Sequence, residues 1–467
     1  MVCRSTPAAA PHLLCGDLQC RAPACCGQGL HGWNRIAVNQ ELPRRNAIRV
    51  FAIFAFVYFL STLSRAVTAT LAPELTEAFD LSAASLGLLA GGYFVGLALM
   101  QIPLGHCLDR FGPPRVAATF LVVAIGGSVL LALAQSFWMA LAGRVLLGVG
   151  LAAGLMAPLT AYRQWFAPAV QVRANAWMLM IGSLGMLVST VPTQRLVEWQ
   201  GWRTVFWIWA VLAVLALLGL LLKLPRWVVP ARPARSASPR ASAPEAPAQV
   251  PQQAGDMSGQ PALGVGQIVR DRRFRSVVPL GFFSYGGMFA ILTLWVGPWM
   301  TNVAGLDAEG SASGLLWINA AMMLAFLFIG LIGTQLARRG MTLESLVLWG
   351  TPASLLILPV VIGLGAHAGW PHWMLYCLSI TPFSMLQPKL AQCFAPEVAG
   401  RVLTAFNLAV FTGTFVMQWA IGGAIDAFRL AGFGQVQAYQ SAMLAFWAFN
   451  LAAYGWFLRT RVRQAAP

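Results

Sequence analysis

The sequence predicts an all-α integral membrane protein with about twelve transmembrane helices in two pseudo-symmetric six-helix bundles. Hydrophobic residues make up 58% of the 467 residues and charged residues only 10%, with a mean hydropathy of +0.68. A soluble chain of this length carries about a quarter charged residues. A stretch rich in Pro, Ala and Ser lies midway along the chain and separates its apolar runs into two equal groups.

Each apolar run is about 20 residues long, which is enough to cross the hydrocarbon core of a bilayer as a helix. The tenth run is interrupted by Pro382 and Pro388. Proline is tolerated in a spanning helix where neighbours satisfy the freed backbone groups. The runs lie near residues 48–72, 82–104, 115–134, 137–160, 172–193, 203–223, 275–300, 311–334, 343–365, 370–391, 402–424 and 438–458.

The midway stretch has too little apolar surface to fold alone, so we expect a flexible linker. The N-terminal segment contains no apolar run of signal-peptide type, so we expect the first helix to act as an uncleaved insertion signal. The predicted organisation is a disordered, Cys-containing cytoplasmic tail at 1–47, a bundle at 48–223, a cytoplasmic linker at 224–274, a bundle at 275–458 and a cytoplasmic tail at 459–467.

The cysteines of the N-terminal tail show no CxxC pair, and a cytoplasmic tail keeps thiols reduced. We therefore predict no metal site, although metal binding is the alternative and the segment could also be translated sequence upstream of the true start. These residues are Cys3, Cys15, Cys20, Cys25 and Cys26.

The chain has a net charge of +16, and the positions of its basic residues indicate its membrane topology. With a cytoplasmic N-terminus, only Arg195, Arg203 and Arg429 fall in outer segments, and both termini are cytoplasmic. The first outer loop is acidic. The basic residues of 270–275 are interpreted as a topology anchor, with a nucleic-acid or anionic-lipid patch as the alternative.

Arg65 lies inside the first apolar run, VFAIFAFVYFLSTLSRAVTATL. Burial of a guanidinium there costs several kcal/mol unless it faces a wet cavity or an anion, so Arg65 is a candidate binding residue. Tyr58, Ser61 and Thr68 stand at helical spacing from it and are expected to share its face.

An internal repeat supports two related halves. GHCLDRFG at 105–112 follows the second run, and GTQLARRG at 333–340 follows the eighth, with Gly, Leu, Arg and Gly at matching offsets. Asp109 corresponds to Ala337, so only the first half has the acidic residue. Halves related by an axis along the membrane normal are a transporter plan, with substrate held between them.

The segment GHCLDRFGPPR resembles the signature loop between helices two and three of the major facilitator superfamily, Gly-x-x-x-Asp-Arg-x-Gly followed by a basic residue. The resemblance covers the chain from its first helix to its last and implies the fold of that superfamily. It also implies a cytoplasmic gate that closes in the outward-facing state; the alternative is a loop that only fixes topology. The gating residues would be Gly105, Asp109, Arg110, Gly112 and Arg115, with Arg338 and Gly340 in the second half.

Arg65 with Pro73, in RAVTATLAP, is similar to the organophosphate antiporter and anion:cation symporter branches, in which the helix-one arginine contacts a phosphate or carboxylate. Organophosphate antiporters generally add an arginine in helix seven, but residues 276–300 contain no basic residue. A singly charged organic acid needs only one guanidinium and is the expected substrate.

Arg144, in GRVLLGVGLAAG, lies at a similar depth in the fourth run and resembles the helix-four motif that exporters use in proton coupling. It is a candidate binding residue, with snorkelling or hydrogen bonding to backbone carbonyls as the alternative. The fifth run, GSLGMLVSTVP, lacks the Gly-Pro pair of the exporter branch. A proton-coupled drug or metabolite exporter therefore remains the second hypothesis.

Other polar residues within the runs either line the cavity or join helices to one another. Acidic residues are absent from the centres of the runs, so a coupling proton would travel with the substrate carboxylate or be shared with Tyr58; exchange and facilitated diffusion are the alternatives. The cavity-lining candidates are Gln101, Tyr285, Asn407 and Gln418.

The sequence thus predicts a secondary transporter that binds a small carboxylate-type anion and works by alternating access. It predicts no enzymatic activity, because its histidines form no metal-ligand or catalytic pattern, and no cofactor or nucleic-acid partner. A membrane-embedded enzyme and a signalling protein are weaker alternatives. The expected setting is a monomer in a bacterial inner membrane, with a small-molecule substrate and a coupling proton as partners.

Overall fold

A computed structural model describes residues 42–224, 265–338 and 343–460. The N-terminal cysteines, most of the predicted linker, Gly340 and the last residues of the chain lie outside the described residues. The first helix begins at Arg44, inside the predicted tail, and helices occupy most of 265–274, inside the predicted linker.

Recognisable capping residues mark several helix ends in the first half. The hydroxyl of Ser82 accepts a hydrogen bond from the Ser85 amide, and that of Ser136 accepts one from the Met139 amide. Gly112, at φ 78°, joins two helices in a conformation that favours glycine. The helices are α1 Arg44–Thr70, α2 Ala72–Phe79, α3 Ala83–Phe111, α4 Pro113–Ala132, α5 Phe137–Leu151, α6 Ala153–Trp165, α7 Pro168–Val188, α8 Val191–Gln200 and α9 Trp202–Lys223.

The second half contains two π-helical segments, Gly281–Tyr285 and Ile291–Trp295, and two 3₁₀ segments, Gly365–His367 and Thr381–Met385. The α-helices are α10 Val265–Arg270, α11 Arg272–Leu280, α12 Gly286–Ala290, α13 Val296–Asn302, α14 Ala308–Arg338, α15 Leu343–Leu364, α16 Trp370–Ile380, α17 Leu386–Gln392, α18 Pro396–Leu430 and α19 Gln435–Thr460.

Within the described residues, 11 helical stretches are long and apolar enough to cross a membrane. In the predicted tenth segment the α-helix is interrupted, because the 3₁₀ segment that contains Pro382 separates α16 from α17. The prediction of an all-helical membrane protein with about twelve apolar segments in two groups is confirmed.

Each half has its own apolar core. One core joins residues of α1–α9, and the other joins residues of α10–α19. Ala69 and Ala72 of the first half, together with Leu86 and Ala90 of α3, belong to the second core. The halves therefore pack directly against each other at these positions.

The halves meet where α3 runs along α18. A Cβ on Gly87 would collide with the Gln418 backbone, and a Cβ on Gly422 would collide with the Ala83 backbone. We call this the α3–α18 seam. Such contacts require glycine, because its missing side chain lets two helix backbones approach closely.

The start of α3 is also fixed by a carboxylate. Asp426 of α18 accepts hydrogen bonds from the amides of Ala83 (3.1 Å) and Ala84 (2.8 Å). Arg195 of α8 forms an ion pair with Glu309 of α14, again between the halves. We call this end of the molecule the α2 end, and the halves are closed together there.

Candidate functional site

Arg65 of α1 is half-buried between the two halves and carries an unused hydrogen-bond donor. Its Nε is shielded from solvent and has no hydrogen-bond partner. Its guanidinium carbon lies 5.8 Å from the centre of the Phe289 ring in α12. Among the described residues, the ion pairs involve Arg195 and not Arg65. No carboxylate of the described residues therefore forms an ion pair with the Arg65 guanidinium.

Two tyrosines complete the surroundings of this guanidinium. Tyr285 lies close to both Tyr58 and Arg65. Its ring meets that of Phe289 edge-on, with centroids 5.1 Å apart. The Tyr58 ring fills the space where Gly182 lacks a Cβ. Arg65, Tyr58 and Tyr285 thus lie close together, with Phe289 beside them.

The π-helical segment Gly281–Tyr285 ends at Tyr285 and changes the direction in which the following side chains point. Such segments occur often at functional sites. Gly286, next in the chain, packs against α18, where a Cβ would lie 2.6 Å from the Val410 carbonyl oxygen. The local backbone therefore fixes Tyr285 and Phe289 opposite α1.

Arg144 of α5 is almost completely buried within the first half, with 2% of its surface exposed. Its Nη1 donates to the backbone carbonyl of Ser64 (3.0 Å), and its guanidinium carbon lies 5.4 Å from the centre of the Tyr93 ring. Arg144 therefore contacts α1 at the residue that precedes Arg65. This is the backbone-carbonyl arrangement that the sequence left as an alternative.

Ser61 and Thr68, predicted on the same helix face as Arg65, are both buried. The Ser61 hydroxyl lies 3.2 Å from the Tyr93 hydroxyl, which donates to the Ser61 carbonyl oxygen (3.0 Å). The polar side of α1 is thus divided, since Ser61 joins α1 to α3 while Arg65 faces the second half.

Three further candidates are occupied by protein contacts. Gln101 Nε2 donates to the Leu97 carbonyl of its own helix (3.2 Å), and Gln418 Nε2 donates to the Thr293 hydroxyl (3.1 Å). Asn407 is half-buried and its Oδ1 accepts from Gln387 Nε2 (2.9 Å). Gln101 therefore binds the backbone of its own helix, and Gln418 joins α18 to the segment that contains Thr293. Asn407 forms a partly exposed amide pair with Gln387.

Sequence reasoning missed Phe289 and Gln387. Phe289 stands one helical turn after Tyr285, so the helical spacing used for Arg65 would have selected it. Gln387 lies between the two prolines of the interrupted segment, where a polar residue can reach the interior. Both signals were readable from the sequence.

The predicted gating loop lies at the end of the molecule opposite the α2 end. Gly105 has nothing within 4 Å of a built Cβ, and Asp109, Arg110 and Arg115 are exposed. Arg110 lies over the Phe111 ring at 5.3 Å. The described residues show no ion pair at Asp109. Gly112 adopts its positive φ, the Arg338 side chain is not described, and Gly340 lies outside the described residues.

The sequence that forms these two helical halves matches a known family. The model of the Major Facilitator Superfamily matches residues 54–459. The chain belongs to the Major Facilitator Superfamily. As a member of this superfamily it is a multi-pass membrane transporter and not an enzyme.

Among relatives, the 4-hydroxybenzoate transporter PcaK of Pseudomonas putida is 27% identical over 56% of this chain and 58% of its own length. The probable sulfoacetate transporter SauU of Cupriavidus necator is 25% identical over 36% of this chain and 39% of its own. The matched region spans less than two thirds of either relative.

The fold is similar to that of a solved bacterial homologue of the human lysosomal transporter Spinster, a structure described as inward-facing and unoccupied. The TM-score is 0.66 at 18% identity, over 91% of this chain and 100% of that structure. The likeness in fold agrees with the family.

Proposed function

We propose that this transporter carries a small organic anion of the carboxylate type by alternating access, with Arg65 as the anion-binding residue. The carrying observation is the Arg65 guanidinium, which lies between the halves with an unused Nε donor and no carboxylate partner among the described residues. A buried cation without a counter-ion costs free energy, and a bound anion offsets that cost.

The charge balance around the site supports an anionic substrate. Arg144 adds a second positive charge, held by a backbone carbonyl that leaves this charge uncancelled. Two cations in a low-dielectric interior attract an anion and repel a cation. This favours the anion hypothesis over a transporter of lipophilic cations.

The aromatic rings around Arg65 favour a planar monocarboxylate. Tyr285 and Phe289 offer an edge-on pair of rings beside the guanidinium, and aromatic rings pack well in offset or edge-on arrangements. The Tyr58 and Tyr285 hydroxyls are able to donate to a carboxylate. PcaK, named as a 4-hydroxybenzoate transporter, fits the same substrate class.

The orientation of the chain belongs to this proposal. We place the α2 end outside and the gating loop in the cytoplasm of a bacterial cell, because the α2 end carries acidic residues and basic residues concentrate in the opposite segments. The closed α2 end then corresponds to a state in which substrate exchanges with the cytoplasm.

Binding of named anions to the purified protein tests the anion site. We expect 4-hydroxybenzoate and benzoate to raise the melting temperature, and tetraphenylphosphonium to leave it unchanged. Arg65→Ala should weaken benzoate binding at least tenfold, because a hydrogen bond to a charged group contributes about 1.5–3 kcal/mol. Arg65→Lys should retain part of the affinity, since it keeps the charge but loses the bidentate fork.

Arg49→Ala is the matched control, because Arg49 is an exposed arginine on the same helix. It should bind benzoate like the wild type. Wild-type affinity in Arg65→Ala for every anion tested, with a normal melting temperature, would show that Arg65 is not the anion site.

A further inference from the structure

Three exposed arginines lie at the end of the molecule opposite the α2 end. α11 begins the spanning stretch Arg272–Asn302, and the other end of this stretch, α13, contacts α2. Arg272 and Arg275 are exposed on α11 and are three residues apart, so they lie on the same side of the helix. Arg270, also exposed, is the last residue of α10 and comes two residues before Arg272.

Helix α19 brings a fourth arginine to the same place. Nε1 of Trp456 in α19 donates a hydrogen bond to the backbone carbonyl of Arg275 (3.1 Å), so the two helices are joined there. Arg459 is exposed and follows Trp456 by three residues, which places it about one turn further along the same side of α19. We call Arg270, Arg272, Arg275 and Arg459 the α11–α19 basic patch.

The positive charge of this patch is not cancelled within the described residues. The ion pairs found there involve Arg195 and none of the four arginines. Asp271 is the neighbouring carboxylate, and its Oδ1 accepts a hydrogen bond from the Arg273 amide (2.7 Å), which caps α11. The Arg273 side chain points to α17, where its Nη1 donates to the Cys393 carbonyl. The patch therefore presents four guanidinium groups beside one carboxylate.

The surface next to the patch is apolar and faces the bilayer. α19 is a spanning stretch, Gln435–Thr460, on which Leu451, Trp456 and Leu458 are 44%, 43% and 41% exposed. Apolar side chains exposed on a spanning helix contact lipid chains, and tryptophan is enriched at the level of the headgroups. Arg459, directly after Leu458, thus lies where the hydrocarbon ends. The patch is beside lipid rather than in the opening between the two halves.

We propose that the α11–α19 basic patch binds the headgroup of an anionic phospholipid, whose chains lie along the exposed apolar side of α19. A guanidinium binds phosphate oxygens through two parallel hydrogen bonds. Each basic residue near a membrane surface strengthens the binding of anionic lipids about fivefold. A free phosphate or a nucleic acid would leave Leu458 and Trp456 without a role, so the position of the patch favours the lipid. This is the lipid alternative that the sequence left open for residues 270–275.

Native mass spectrometry of the purified protein, with dioleoylphosphatidylglycerol added in detergent, tests the patch. The wild type should retain this lipid several-fold more tightly than dioleoylphosphatidylcholine, whose headgroup has no net charge. Arg272→Gln/Arg275→Gln should bind phosphatidylglycerol about tenfold more weakly or worse, because two charges are removed. Arg272→Lys/Arg275→Lys should retain most of the affinity, since both charges remain although the bidentate geometry is lost.

Arg44→Gln/Arg45→Gln is the matched control, because it removes the same charge from two exposed arginines at the start of α1. It should bind phosphatidylglycerol as the wild type does. An equal loss of affinity in the two glutamine variants would overturn the proposal, because binding would then follow net charge. Equal affinity of the wild type for phosphatidylglycerol and phosphatidylcholine would also overturn it. The melting temperature in lipid-free detergent shows whether each variant is folded.

Two soluble competitors separate the lipid from other phosphates. Millimolar inorganic phosphate or a short single-stranded RNA should leave phosphatidylglycerol bound, and its release by either would overturn the assignment to a lipid. The site does not rest on the proposed function. Arg65→Ala should therefore retain phosphatidylglycerol, and Arg272→Gln/Arg275→Gln should bind benzoate as the wild type does.

Discussion

Tyr93 connects three elements of the first half through one side chain. Its hydroxyl donates to the Ser61 carbonyl of α1, and its ring lies beside Arg144 of α5. We expect Tyr93→Phe to lower the stability of the purified protein by about 0.6 kcal/mol, the average for a side-chain hydrogen bond within a membrane. Thermal unfolding in detergent checks this value.

Ser61→Ala provides the comparison for this prediction. It removes the hydroxyl that lies near Tyr93 but retains the Ser61 carbonyl, so its effect should be smaller than that of Tyr93→Phe. A larger loss of stability in Ser61→Ala would show that the hydroxyl pair matters more than the bond to the carbonyl.

At the same scale, the sequence identified both intramembrane arginines but could not separate their roles. An apolar context marks Arg65 and Arg144 equally as costly charges. The difference lies in one contact, since Arg144 reaches the Ser64 carbonyl 80 positions earlier in the chain, and no local pattern reports so distant a partner. The long-range packing decides which guanidinium is left without a partner.

Helix α4 packs against α5 through a glycine. A Cβ on Gly127 would lie 2.7 Å from the Leu147 amide nitrogen and 2.8 Å from the Gly143 carbonyl oxygen, whereas Gly126 has nothing within 4 Å. We expect Gly127→Ala to lower stability by about 1–3 kcal/mol through overpacking. Gly126→Ala should be neutral or slightly stabilising, because alanine favours helix. The difference between their melting temperatures is the measurement.

If Gly127→Ala and Gly126→Ala lowered the melting temperature equally, this result would contradict the close contact between α4 and α5. Neither substitution touches Arg65, so neither should change the apparent affinity for benzoate once the protein is folded.

The apolar segments were predictable at the scale of elements because hydropathy alone marks a spanning helix. The π-helical segments were not, since no local sequence pattern separates Gly281–Tyr285, which packs against α18, from an α-helix. The interrupted tenth segment was predictable only in part. Its prolines indicated a break, but the 3₁₀ segment at 381–385 was found only in the structure.

Closure of the whole molecule at the α2 end depends on the α3–α18 seam. A Cβ on Gly422 would collide with the Ala83 backbone, whereas Gly423 has nothing within 4 Å. We expect Gly422→Val to push the halves apart and lower the closed fraction several-fold. Gly423→Val should leave it unchanged. Spin-label distances between α8 and α18 measure both at constant pH.

A closed fraction that is the same in Gly422→Val and the wild type would show that the seam does not limit closure. A lower melting temperature with an unchanged closed fraction would assign Gly422 to stability within one state. The two halves were expected from the repeat at 105–112 and 333–340, but the end at which they meet could not be read from it, because the repeat describes each half separately.

The glycines of the α3–α18 seam also set how much surface becomes wet when it separates. The hydrophobic contribution of a contact scales with the apolar area that it removes from water, at roughly 25 cal/mol per Å². Backbone-to-backbone contacts at Gly87 and Gly422 remove little apolar area, since glycine has no side chain. Leu86 and Ala90 of α3, in contrast, belong to the apolar core of the second half, so the free energy that opposes opening of the seam comes from these side chains and not from the glycines.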